Sequence, residues 1–240
     1  MAMSLTRRMF SALAVSASLA LAACGGSGSS MNEAASDDRS LGSPDAPVTL
    51  IEYSSVACGH CATFHNTVYP MIERDYIETG QVQFVLREMI TGSPQYAVAG
   101  FTLAHCVPED RYFDMISLLF RQQNAIFRAA GEPGGPRAQY LAIARSMGLS
   151  EADMNACFSD TEINDRIVAS SERASRDGIT GTPRFIFNGR LLDAERAADG
   201  EGYVYTLGGE TLIINGETVP AAVDEDTFRT IIDHLIAQAG

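Results

Sequence analysis

Residues 58–61 read Cys-Gly-His-Cys, and this stretch constrains the fold more than any other part of the chain. Two intervening residues let both sulfurs close into one small disulfide ring. The flanks narrow what can surround it. Residues 48–53 (VTLIEY) are a strand-like run, and residues 62–69 (ATFHNTVY) read as helix. Strand, short loop, CxxC, helix is the layout of a thiol–disulfide exchange site. If Cys58 also starts the helix, unpaired N–H groups and the positive end of the helix dipole lie beside its sulfur. That favours the thiolate, which is the reactive species.

The same strand–helix alternation continues. The helix is expected to run toward Gly80 with a break at Pro70, and residues 81–87 (QVQFVLR) read as a second strand. From about residue 93 to 178 the apolar spacing is helical, interrupted at 131–136 (GEPGGP). Ser150 and Asp153 resemble a capping box, and Asp160 is a second cap. Residues 179–183 (ITGTP) precede a β-like run, 184–189 (RFIFNG). A proline there either starts an ordinary trans strand or, if the Thr182–Pro183 bond is cis, leaves backbone groups free for an extended peptide. Residues 191–202 read as a polar loop. Residues 203–207 and 210–216 read as a hairpin around Gly208-Gly209, and a last helix spans about 224–238.

The N-terminus reads as an export segment. Arg7 and Arg8 precede an apolar run from Met9 to Ala23 that is too short to span a bilayer. It ends in Leu-Ala-Ala-Cys at 21–24, which resembles a lipoprotein processing site with Cys24 as the acylated residue; an ordinary cleavage near Ala23 is the alternative. Residues 6–10 (TRRMF) also resemble a twin-arginine signal. Residues 1–23 are thus expected as signal, 24–42 as flexible linker and 43–240 as the folded domain. The 240-residue chain carries a net charge of −13, which becomes −15 once Arg7 and Arg8 leave with the signal. Such an acidic chain disfavours nucleic acid and anionic lipid as partners.

With these motifs in hand, the chain resembles the DsbA-like thiol oxidoreductases of the thioredoxin superfamily. Residues 45–54 (DAPVTLIEYS) leading into Cys58–Cys61, the helical block, residues 178–189 (GITGTPRFIFNG) and the closing helix carry the resemblance. It implies an α/β, thioredoxin-like fold with an inserted all-helical subdomain over about 92–178. It also implies dithiol–disulfide exchange in the periplasm of a Gram-negative bacterium, here as a membrane-anchored lipoprotein. The Gly-His pair inside the motif is equally typical of protein disulfide isomerases, and the 191–216 segment exceeds the usual connection.

The resemblance assigns roles. Cys58 is the exposed nucleophile and Cys61 its buried partner in the redox disulfide. Glu52, six residues upstream, matches the family's buried acid that relays a proton to the inner cysteine; an exposed edge-strand Glu is the plain alternative. His60 either supports the Cys58 thiolate or is a solvated loop residue. Thr182 and Pro183 are expected to face the disulfide and contact substrate backbone. Cys106 and Cys157 are either two buried thiols or a structural disulfide, and the resemblance favours pairing. No cofactor is expected, and no metal: His65, four residues after Cys61, fits no common zinc spacing. His105 and His234 have no visible partners. Expected partners are reduced or unfolded exported proteins and a quinone-linked membrane protein of the DsbB type. The competing readings are a disulfide reductase or isomerase, and a non-catalytic copper-binding thiol lipoprotein.

Overall fold

The computed structural model describes residues 38–240, so the segment expected as an export signal and Cys24 lie outside the described residues. The first elements are β1 (Arg39–Leu41), β2 (Val48–Ser54), α1 (Gly59–Thr67), α2 (Tyr69–Ile72) with a π-helical turn at Glu73–Ile77, and β3 (Val82–Glu88). β2 and β3 pair in parallel, from Val48 opposite Val82 to Ser54 opposite Glu88. A parallel pair needs a crossover, and α1 and α2 supply it. The helical break falls at Val68 (φ −112°), two residues before Pro70. Pro70 then sits in the first turn of α2, where its missing N–H has no bond to make.

The helical block is α3 (Pro94–His105), α4 (Tyr112–Arg128), α5 (Gly135–Ser146), α6 (Glu151–Phe158) and α7 (Thr161–Arg176). Ser150 and Asp153 form a reciprocal capping box on α6, and Asp160 accepts the Glu162 amide at the start of α7. The apolar stripe of α4 (Tyr112, Phe113, Ile116, Leu119, Phe120) is buried as its spacing requires.

The chain re-enters the sheet at β4 (Arg184–Phe187), antiparallel to β2. Here the sequence reading is corrected. The stretch expected as a polar loop is β5 (Arg190–Arg196), paired with β4 and with β6 (Tyr203–Leu207). Its polar side chains face outward while Leu192 alone is buried, so apolar content was a poor guide to a strand held by backbone pairing. Asn188 (φ 46°) and Gly189 (φ 74°) make the two-residue β4–β5 turn. The expected hairpin around Gly208-Gly209 is present but short: β7 (Glu210–Thr211) ends before Leu212, and β8 (Ile213–Ile214) and β9 (Glu217–Thr218) form a separate hairpin. α8 (Glu225–Ala239), capped by Asp224, closes the chain.

The main sheet runs β1-β3-β2-β4-β5-β6-β7. β1 lies inside the segment expected as linker. It pairs with β3, and Asp38 beside it is buried against Arg87 and Arg173, which ties this stretch to the folded body. Strand alternation divides β2 between two cores. Val48 and Leu50 pack with Phe64 of α1 and Phe228 of α8; Ile51 and Tyr53 pack with Ala174 of α7 and with Ile179 just after it.

Candidate active site

Cys58 is the N-cap of α1, with extended backbone angles (φ −99°, ψ 123°) and a carbonyl that accepts the Ala62 amide. Its sulfur is half-buried and its thiol donates to the Thr182 carbonyl at 3.3 Å. The Thr182–Pro183 peptide bond is cis. Pro183 stands immediately before β4, so its missing N–H removes no ladder bond. The Thr182 and Thr91 hydroxyls meet at 2.7 Å, joining the proline loop to the loop after β3.

The two thiols are driven apart. Cys58 is pulled down from 9.0 to about 5, first by the hydrogen bond from the Cys61 side chain, against the effect of burial. Thr182 and the backbone amides of Cys61 and His60 add to the lowering, as expected of a sulfur at a helix start. Cys61 is fully buried, and burial, then Cys58 and the charge of Glu52, push its thiol far above the ordinary range.

Glu52 is wholly buried on β2, on the α1 side of the sheet by alternation with Leu50. One carboxylate oxygen accepts the Ser54 hydroxyl and the other meets His65 Nε2, both at 2.7 Å. The His65 ring stacks on Phe120 at 4.0 Å. His60 is exposed, and its contribution to Cys58 runs through its backbone N–H. His105 has partners after all: Nε2 is 2.7 Å from Glu88, which also accepts the Tyr112 hydroxyl. His234 meets Gln238 at 2.9 Å. Neither pair was visible in the sequence, because His105 and Glu88 lie on separate elements and the His234–Gln238 contact depends on a helix face.

Gln123 was missed entirely. From α4, its side-chain amide donates to the carbonyls of Val56 (2.8 Å) and Cys58 (3.0 Å). The helical insertion thus holds the loop that presents the cysteines. Gly92 supports the same loop from below: at φ 73°, an added Cβ would lie 2.4 Å from the Ala57 carbonyl oxygen. The structure joins Cys106, just after α3, to Cys157 in α6 as a disulfide. Beside the cysteines, His60, Thr182, Pro183, Leu192, Asp193 and Tyr205 are among the residues lining a groove of about 250 Å³. Among the described residues no group of three or more His, Cys, Asp or Glu is gathered as a metal would require. No described helix is long and apolar enough to cross a membrane.

A family model described as thioredoxin matches residues 34–203. The chain belongs to the thioredoxin family. Its relatives place it on the DsbA-like branch of that family. A putative protein-disulfide oxidoreductase of Rickettsia bellii is 26% identical over 154 residues, covering 64% of this chain and 58% of that protein. A probable disulfide bond formation protein D of Bacillus cereus is 24% identical over 165 residues, covering 67% of this chain and 74% of that protein. This thioredoxin-family chain therefore spans little more than half the length of the Rickettsia bellii protein. Among solved structures, α-DsbA1 of Wolbachia pipientis superposes with a TM-score of 0.66 at 26% identity, over 86% of this chain and 94% of that one. BdbD of Bacillus subtilis shares the fold, with a TM-score of 0.61 at 18% identity.

Proposed function

We propose that this protein is a thiol:disulfide oxidoreductase that forms disulfides in exported proteins through Cys58 and Cys61. The observation that carries the reading is the opposed tuning of the two thiols beside a cis-proline groove. A Cys58 thiolate that is stable near neutral pH favours the reduced pair and makes the disulfide a stronger oxidant. A substrate thiolate attacks Cys58 sulfur in the oxidised ring and Cys61 leaves. The second substrate thiolate then attacks the substrate sulfur of the mixed disulfide and releases Cys58 as thiolate. Two substrate thiols become one disulfide, and the enzyme takes up the two electrons. Thr182 and Pro183 line the groove where the extended substrate would lie, and Glu52 handles the Cys61 proton.

The setting follows from the same proposal. The protein is exported by its N-terminal signal, with Cys24 as lipid attachment site, and works in the periplasm on reduced or unfolded proteins. A quinone-linked membrane protein of the DsbB type returns it to the oxidised state. The Cys106–Cys157 bond agrees with an oxidising compartment. The test is the reduction potential of the Cys58–Cys61 pair against glutathione. A value of about −120 to −180 mV is expected; one near about −270 mV identifies a reductase instead. Cys58→Ser should abolish oxidative refolding of a reduced substrate. Tight Cu(I) retention without turnover would replace the proposal with a copper-handling role.

A further inference from the structure

A second concavity lies outside the exchange site, in the helical block. It holds about 670 Å³, against about 250 Å³ for the cis-proline groove, and falls within the range of sites that take ligands. α3, α5 and α6 wall it, and Tyr96, Ala99, Tyr140, Met154 and Phe158 give it an apolar lining. The Tyr140 hydroxyl is engaged inside, donating to the Tyr96 carbonyl at 3.1 Å, so its ring offers apolar surface. Phe158 is 40% exposed and carries that surface outward to the rim. The walls are fixed in advance, because the Cys106–Cys157 bond ties α6 to the end of α3 next to Phe158.

The charge pattern limits what this groove can take. Among the described residues that line it, Arg137 alone is charged, and its guanidinium already donates to Glu151 at 3.2 Å and Asn155 at 2.7 Å. Residues 94–176 hold ten acidic residues against eight arginines, so of the mature chain's −15 the helical block carries only −2. An uncharged apolar segment meets neither a stranded charge nor a strong field there, whereas an anionic ligand would have to displace Glu151. The groove also reaches the exchange site through packed side chains. Tyr96 stacks on Phe127 of α4 at 5.3 Å, one turn beyond Gln123, which holds the Cys58 carbonyl. One turn after Tyr96, α3 packs so closely on the cysteine loop that a Cβ at Gly100 would lie 2.6 Å from the Val56 side chain.

We propose that this groove is a second substrate site, which takes an uncharged apolar segment of the same unfolded protein whose cysteine is exchanged at Cys58. The proposal rests on the thiol-exchange reading above and names what its substrates share. An unfolded chain exposes the aliphatic and aromatic side chains that folding later buries, and these mark it as unfolded whatever sequence surrounds its cysteines. Met154 lets one groove accept different apolar side chains. Two weak contacts on one chain hold it better than either alone, with no new contact at the sulfur. Folding of the product withdraws the segment into its own core and frees the groove.

The chain has no Trp, so a Trp placed in a peptide reports on the peptide alone. The probe is a cysteine-free peptide of Leu, Phe and one Trp between Gly-Ser ends, titrated into the whole mature protein in its oxidised form. Its emission should shift to the blue and saturate. Ala99→Glu should weaken this binding about tenfold or more, because an unpaired carboxylate in an apolar site costs more than the free energy of that factor. Phe158→Ser changes an exposed side chain, keeps the test open should Ala99→Glu misfold, and should weaken binding about fivefold. Absence of saturable binding, or equal binding by wild type and Phe158→Ser, would overturn the proposal. Kinetics separate the groove from the exchange reading. A reduced two-cysteine peptide is joined to the apolar segment by a Gly-Ser spacer of about 40 residues, long enough when extended to reach any point of a domain this size. Its KM should be about tenfold lower than that of the two-cysteine peptide alone; Ala99→Glu should remove that difference and Phe158→Ser should narrow it. Equal KM for the two substrates in wild type rejects the second site and leaves exchange intact. Failure of wild type to oxidise the short peptide rejects the exchange reading, and the groove's substrate role with it. Self-association of wild type that Ala99→Glu abolishes would seat a second copy of the chain in the groove, and would also overturn the proposal.

Discussion

Replacing Cys61 by alanine removes the donor that contributes most to holding Cys58 as a thiolate. The expected size follows from the site. Cys58 is lowered from 9.0 to about 5, and two of those units are realised at pH 7, worth about 2.7 kcal/mol before screening. Cys58 is half-exposed, so solvent reduces the net effect to about 1 kcal/mol. The sign is fixed by proton counting. Between about 5 and 9 the folded, reduced protein binds fewer protons at Cys58 than the unfolded chain, so this contribution grows with pH across the window and vanishes as pH falls through about 5. Above about 9 Cys61 acts in the opposite sense, because its thiol stays protonated in the fold and ionises in the unfolded chain. The assay is thiolate absorbance at 240 nm against pH, with urea denaturation of the reduced protein at pH 7 and pH 4. Cys58→Ala, measured in parallel, isolates the contribution of this one group. Cys61→Ala should raise the Cys58 midpoint by about one unit, since a hydrogen bond to a charged group is worth about 1.5–3 kcal/mol before screening. Cys61→Ser keeps a donor and should stay near wild type. A wild-type midpoint above about 7, or alanine and serine variants that titrate together, would refute the reasoning.

Two further substitutions probe the support of the site. Gln123→Leu leaves the Val56 carbonyl without its α4 donor, and should destabilise the protein by about 1–3 kcal/mol in chemical denaturation, with a larger fractional loss of thiol-exchange rate than of fold. Cys106→Ala with Cys157→Ala opens a loop with a sequence separation of 51; the chain-entropy model expects a loss of about 4 kcal/mol, read as a lower thermal midpoint of the non-reduced protein.

Local chemistry wrote much of this fold into the sequence. The β2–α1–β3 unit was visible because a strand, a CxxC and a helix with a proline break each carry their own signal. The Ser150 and Asp160 caps and the burial of the α4 stripe were visible because they depend on spacing within one helix. β5 was not, because its residues are polar and its strand character comes from pairing with β4 and β6 rather than from composition. β1 was hidden for a similar reason: three residues in a polar stretch become a strand only when β3 offers its edge and Arg87 and Arg173 bury Asp38.

The site divides along the same line. The sequence by itself placed the cysteine pair at a helix start, the acid on the adjacent strand and the proline segment before the next strand, because residue type and spacing along one stretch already limit local structure. Only the tertiary structure decided that Glu52 meets His65 rather than water, that Gln123 holds the Cys58 loop from a helix 65 residues away, and that His60 acts through its backbone. These are contacts between side chains and groups brought together by packing. Burial then sets their strength, because a polar contact excluded from water has no solvent competitor.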